Sequence, residues 1–253
     1  MGKAEVAPNV DRAVEILRTV APFSSLPAAV LGEVLARSRS RPFARGELVV
    51  RPGDSADRVI LVATGLVLLG AGTARGQWVP FRCCGPGATI GVLGLLDEGP
   101  SDGYARALTD GTAALFPADM LRNIAGRSPP FALALARKAA GLARDARYLL
   151  AESRSLEVPA RLARRLLALA DTFGQPAVGP SGRGQVIDLD LRHQDLADLV
   201  GASRETVSKA MGRLGSAALL RSHRGRIVLL DEAALRRVAR MQAERQGDVA
   251  DLA

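Results

Sequence analysis

Apolar positions along the chain change their period twice. From about Val10 to Ser38 the residues Val14, Leu17, Val30, Val34 and Leu35 recur at helical spacing, broken by Pro22 and Pro27, which predicts short helices ahead of a sheet. The period then shortens. Leu48–Arg51, Val59–Ala63, Leu66–Leu69 and Trp78–Cys84 are short apolar runs. Arg45-Gly46, Pro52-Gly53-Asp54, Thr64-Gly65 and Gly85-Pro86-Gly87 punctuate them, as expected of a compact β-barrel or roll. Tyr104–Leu108 and Thr112–Phe116 read as a further strand pair joined by the turn Thr109-Asp110-Gly111.

Beyond Pro130 a helical period returns and persists. Ala132, Leu135, Ala139, Leu142, Ala146, Leu149, Ser153 and Leu156 alternate three and four residues apart, predicting one long helix over 131–156 with a seam for a second helix. Several seam residues are small enough to let two helices approach closely, so a homodimer through this helix is expected; the alternative is a helix packed on its own domain. Pro159 fits the first turn of another helix, Pro159–Asp171, and Leu156–Pro159 is a hinge candidate. Gly174–Gly184 reads as a surface loop and Val186–Leu191 as a short strand.

The most informative stretch is Leu191–Leu214. Leu196, Leu199 and Val200 form one apolar stripe, Ala197 allows a close helix crossing, and Gly201 supplies a sharp turn. Ser203 then caps a second helix, Ser203–Leu214, whose Val207, Met211 and Leu214 face inward. The opposite face carries Arg204, Glu205, Ser208 and Lys209. Arg204 suits guanine O6 and N7, Glu205 a cytosine amino group, and Lys209 a purine acceptor, and the first turn of such a helix enters the major groove most deeply. Leu219–Arg221 and Arg226–Leu230 predict a hairpin, or wing, around Ser222-His223-Arg224-Gly225.

Composition supports a polyanionic partner. Lys and Arg number 34 against 26 Asp and Glu, a formal charge of +8. The excess is local: over Arg192–Arg226 the basic residues are Arg192, Arg204, Lys209, Arg213, Arg221, Arg224 and Arg226, and the acidic ones Asp195, Asp198 and Glu205. No signal segment or long apolar run is evident, so a cytoplasmic protein without membrane contact is expected. The two cysteines, Cys83 and Cys84, are adjacent, which suits neither a loop-closing disulfide nor a metal site; they read as small hydrophobes, with a redox role as the alternative. No Ser/His/Asp arrangement or phosphate-cradling glycine loop points to an enzyme.

The run Gly-Ala-Ser-Arg-Glu-Thr-Val-Ser-Lys at 201–209, the wing, the long helix and the preceding roll resemble the CRP/FNR superfamily, the cyclic-AMP receptor protein and its relatives. The resemblance covers about Val10 to Ala239. It implies an α+β chain: a jelly-roll sensor domain like the cyclic-nucleotide-binding domains (1–128), a dimerisation helix (129–156) and a winged helix-turn-helix (157–253). It also implies binding to double-stranded DNA and to RNA polymerase. By position Arg204, Glu205 and Lys209 match base-reading residues, and Ser203 and Thr206 match phosphate contacts. His193 stands where relatives often carry another basic residue, and Arg192, Arg213 and Arg224 complete the expected phosphate set.

The sensor region departs from the family. Where cyclic-nucleotide binders carry a glutamate for the ribose, this chain has Val92, followed by Leu93; where they carry an Arg-Ser or Arg-Thr pair for the cyclic phosphate, it has Asp102-Gly103, one residue shorter. Ala146 and Arg147 replace the hydroxyl pair that reads adenine. Each lost contact is worth on the order of a few kcal/mol when buried, so cyclic AMP in the usual pose is disfavoured. No cofactor is required by the sequence. Open alternatives are another nucleotide or small molecule, including an anion held by Arg106 or Arg147; constitutive DNA binding; and redox control through Cys83 and Cys84. A second reading is a ligand- or redox-sensing regulator whose helix-turn-helix acts mainly in protein interaction.

Overall fold

The computed structural model describes residues 10–72, 78–177, 184–223 and 225–240. The chain divides into two compact units, one running to Ala146 apart from Val79–Phe81, the other comprising Val79–Phe81 and Arg147 onward.

In the first unit, α1 (Val10–Thr19), a 3-10 turn (Phe23–Ser25) and α2 (Ala28–Ala36) precede β1 (Arg39–Phe43), β2 (Leu48–Val50), β3 (Arg58–Thr64), β4 (Val67–Gly72), β5 (Trp78–Cys84) and β6 (Thr89–Ile90). Then come α3 (Val92–Asp97), β7 (Gly103–Ala107), β8 (Gly111–Pro117), α4 (Ala118–Arg127) and the long α5 (Pro129–Ser155), which crosses the unit boundary. The strands form two antiparallel sheets, in the orders β1-β8-β3-β6 and β2-β7-β4-β5.

The run Val59–Ala63 is apolar throughout because β3 is covered on both faces. Val59 and Leu61 join Ala114 and Phe116 of β8 in a core with Leu17, Phe23, Leu121, Phe131 and Leu135 from the helices. Ile60 and Val62 point the other way, into an inter-sheet core with Val67, Ala105 and Ala107. Cys84 belongs to that second core, and burial pushes its thiol above the ordinary range, with Arg82 and Lys138 opposing. It serves there as a small hydrophobe.

Two expectations for the roll need correction. Tyr104–Leu108 and Thr112–Phe116 do not pair with each other: β7 lies between β2 and β4, and β8 between β1 and β3. Thr109-Asp110-Gly111 therefore carries the chain from one sheet to the other, beside the similar crossing at Thr64-Gly65. Thr109 Oγ1 accepts from the Leu66 N–H at 3.0 Å, and a Cβ at Gly111 would collide with the Thr64 carbonyl and the Phe43 ring. The strand β1 was not predicted. Arg39–Phe43 buries only Phe43 and contains Pro42, which an edge strand tolerates.

In the second unit, α6 (Val158–Phe173) is followed by β9 (Gln175–Ala177), β10 (Gly184–Asp188), α7 (His193–Val200), α8 (Arg204–Ser216), β11 (Leu220–His223), β12 (Arg226–Leu229) and α9 (Glu232–Arg240). A sheet of order β11-β12-β10-β9 backs the helices. The stretch Gly174–Gly184, expected as loop, thus opens with an edge strand, while residues 178–183 lie outside the described residues.

Along the expected seam of the long helix, Ala132, Ala139, Leu142 and Leu149 are half-buried and Ala146 is exposed. Leu135 and Leu156 are buried within this chain, whereas Leu133, Ala136, Ala140, Ala143 and Leu150 are exposed. These exposed residues lie beside the expected seam, in a run interrupted by Arg147. Leu156–Pro159, the hinge candidate, is itself tied into the second unit: the Leu156 carbonyl accepts from Arg161 at 2.6 Å. Just before it, Glu152 pairs with both Arg164 and Arg165, at 3.0 and 2.8 Å. Among the described residues no helix is long and apolar enough to cross a membrane.

Candidate nucleic-acid interface

The helices α7 and α8 take their geometry from a few local choices. The Asp195 carboxylate accepts from the Arg192 N–H at 2.9 Å, closing the first turn of α7. Gly201 ends α7 with φ +68°, and a Cβ there would meet nothing, so the demand is for the left-handed backbone and not for space. Ser203 Oγ accepts from the Thr206 N–H at 3.2 Å and lies 3.0 Å from its hydroxyl, capping α8.

Along α8 the buried residues are Val207, Ala210, Met211 and Leu214, spaced by three and four. Arg204, Glu205, Thr206, Lys209 and Arg213 are exposed. The structure thus presents the three expected base-reading residues on the exposed face, and α8 runs two residues past the predicted Leu214. The Glu205 carboxyl is held below its usual value, first by a backbone N–H of the helix start and next by the Ser203 hydroxyl, so it stays ionised as an acceptor.

His193 is half-buried, with its Nδ1 2.8 Å from Ser208 Oγ, so it braces α7 against α8, and Nε2 is the nitrogen that can meet a phosphate. Arg192 is exposed at the start of α7. In the wing, β11 and β12 pair His223 with Arg226. Gly225 has φ +77°, and a side chain there would collide with Asp190. Arg226 pairs with Asp188 at 3.1 Å. Arg224 lies outside the described residues.

Arg161 is a positioning residue that the sequence pattern missed. From the first turn of α6 its Nε donates to the Val200 carbonyl at 3.0 Å, and its other nitrogens reach the carbonyls of Leu156 and Gly201 at 2.6 and 3.4 Å. It caps the C-terminal end of α7 at the turn between the two helices. The available signal was an arginine in a first helical turn, the end whose dipole disfavours a cation.

The residues expected around an effector differ in burial. Val92 is core, packed with Leu95 and Phe116, which corrects its assignment to the pocket, while the adjacent Leu93 is 51% exposed. Asp102 is exposed just before β7, and Gly103 opens that strand against the Gly70 carbonyl. Arg106 lies within β7 with its guanidinium 5.9 Å from the Trp78 ring centroid, and Trp78 in turn packs edge-on against Tyr104 at 4.8 Å. Arg147 is exposed on α5 and belongs to the second unit. Among the described residues no group of three or more His, Cys, Asp or Glu could hold a metal ion.

Residues 40–128 match the cyclic nucleotide-binding domain family, and residues 160–238 the Crp-like helix-turn-helix domain family. The cyclic AMP receptor protein of Thermus thermophilus is 31% identical over 218 residues, covering 86% of this chain and 95% of its own. A CRP-like cAMP-activated global transcriptional regulator of Mycobacterium tuberculosis is 29% identical over 226 residues, covering 89% and 99%. Among solved structures, a CRP/FNR-family transcriptional regulator from Thermus thermophilus superposes with a TM-score of 0.62 at 28% identity, covering 81% of this chain and all of that one. With a cyclic-nucleotide-binding domain followed by a helix-turn-helix of this geometry, the chain belongs to the CRP/FNR family of transcription regulators.

Proposed function

We propose that the protein binds a pseudo-palindromic duplex as a homodimer, with two copies of α8 in successive major grooves about 34 Å apart. The observation that carries it is the division of α8 into a buried apolar face and an exposed face bearing Arg204, Glu205 and Lys209. Arg192, His193 Nε2, Thr206, Arg213 and Arg224 meet phosphates. Ser203 contributes chiefly by holding the first turn. Functionally the chain falls into a sensor roll (1–128), a dimerisation helix (129–156) and a DNA-binding domain (157–253), working in the cytoplasm with RNA polymerase as protein partner. The second copy packs on the exposed stripe Leu133, Ala136, Ala140, Ala143 and Leu150, whose small residues permit close approach.

Binding to a labelled duplex across a salt series tests this. If three cations per protomer neutralise phosphates, the dimer shows a log-log slope of about −5. Ala143→Glu sediments as a monomer and shows about half that slope; a wild-type monomer or salt-insensitive binding contradicts the proposal.

We further propose that cyclic AMP in its usual pose is not the effector. A core valine in place of the ribose carboxylate, and the exposed acid Asp102 where a phosphate donor is needed, support this. Calorimetry with cyclic AMP is expected to give no saturable binding below about 1 mM, weaker than about 4 kcal/mol. A micromolar dissociation constant would overturn it.

A further inference from the structure

A cleft in the first unit, of about 590 Å³, opens between the 3-10 turn, β5 and α5. Its charged lining is Arg82 from β5 and Arg137, Lys138 and Asp145 from α5, with Ser24 and Ser25 opposite. Arg137, Lys138 and Asp145 share a helix face with Gly141, where a Cβ would meet nothing within 4 Å, so the floor of the cleft is open. Three cations and one carboxylate therefore line the same cleft. Asp145 reaches Arg82 only at 3.9 Å, and among the described residues neither Arg137 nor Lys138 has an ion pair. Burial, and next the nearby Arg82, hold the Lys138 ammonium below the ordinary lysine range, with Cys84 and Asp145 opposing.

Like charges gathered in a concave, half-buried place repel one another unless an anion joins them. We propose that this cleft binds a small phosphorylated anion, of the phosphate monoester or pyrophosphate class, between Arg82, Arg137 and Lys138. Asp145 is the built-in competitor, releasing Arg82 when the anion enters. The site shares no residue with α8 or with the region around Val92 and Asp102, so it stands apart from the DNA-binding proposal.

The test is isothermal titration of the full chain with inorganic pyrophosphate at about 0.15 M salt, where long-range attraction is screened. Saturable binding with one site per chain is expected. Lys138→Met weakens it at least about tenfold through loss of a charge-assisted contact, and Asp145→Asn tightens it severalfold. The double variant Arg204→Ala/Lys209→Ala, which strips the DNA-facing cations, retains it. A gain in Asp145→Asn cannot arise from misfolding, so the pair of variants separates a site from a structural effect. Absence of saturable binding, binding lost in the double variant but kept in Lys138→Met, or weaker binding in Asp145→Asn would each overturn the proposal.

Discussion

Arg204→Ala is expected to flatten sequence preference while leaving non-specific DNA binding largely intact. Arg204 is exposed in the first turn of α8 and does not contribute to the apolar face that holds the helix, so its loss leaves the fold in place. A bidentate arginine–guanine contact discriminates by about 1–3 kcal/mol, and a symmetric dimer makes it twice, so affinity for the preferred duplex falls by roughly thirtyfold or more. Non-specific affinity, carried by phosphate contacts, changes little. Lys209→Ala follows the same pattern. Arg213→Ala, by contrast, lowers affinity for all sequences alike. Gel shifts against a randomised duplex library distinguish the outcomes; an Arg204→Ala protein with undiminished sequence preference would remove α8 from the role of reader.

The largest stability loss is expected at Phe116. Its ring is fully buried on the helical side of β8, 5.1 Å from the Phe23 ring, and Phe23 lies 6.1 Å from Phe131. These three rings join the sheet to the 3-10 turn and to the start of α5. Phe116→Ala removes a ring that neighbours on both elements cannot replace without moving, and such cavities cost about 3–5 kcal/mol. Trp78, the only tryptophan, lies in β5 and reports unfolding of the roll by its fluorescence in urea. A loss below about 1 kcal/mol would mean that the helical layer collapses onto the gap.

Elements whose geometry is set by near neighbours were legible from the sequence. Val207, Met211 and Leu214 lie within two turns of one helix, and Gly201 answers a backbone requirement of its own residue. The outward placement of Arg204, Glu205 and Lys209 follows from that same spacing. The family match at both ends of the chain agrees with the resemblance carried by these motifs.

Partner choice was legible only in part. A turn such as Thr109-Asp110-Gly111 marks a reversal of direction, but a reversal can close a hairpin or cross to a facing sheet; pairing with β1, β2, β3 and β4, all more than thirty residues upstream of their partners, decides which. The long helix shows a similar limit. Apolar positions one residue apart run side by side along it, and packing against the roll buries Leu135 while Leu133 and Ala136 stay exposed. Val92 is a hydrophobic residue at a position where the family resemblance implies a ligand contact, and only packing shows that it joins the core. Arg161 became visible only when folding brought the carbonyls of Leu156, Val200 and Gly201 around it.

The sequence by itself determined the helix-turn-helix, its exposed reading face and the succession of roll, long helix and wing, because each depends on spacing within a few residues. Tertiary structure decided which strands pair, which stripe of α5 is left open and how the cations Arg82, Arg137 and Lys138 meet in one cleft. Those outcomes depend on contacts between residues far apart in the chain, whose energies no local pattern encodes.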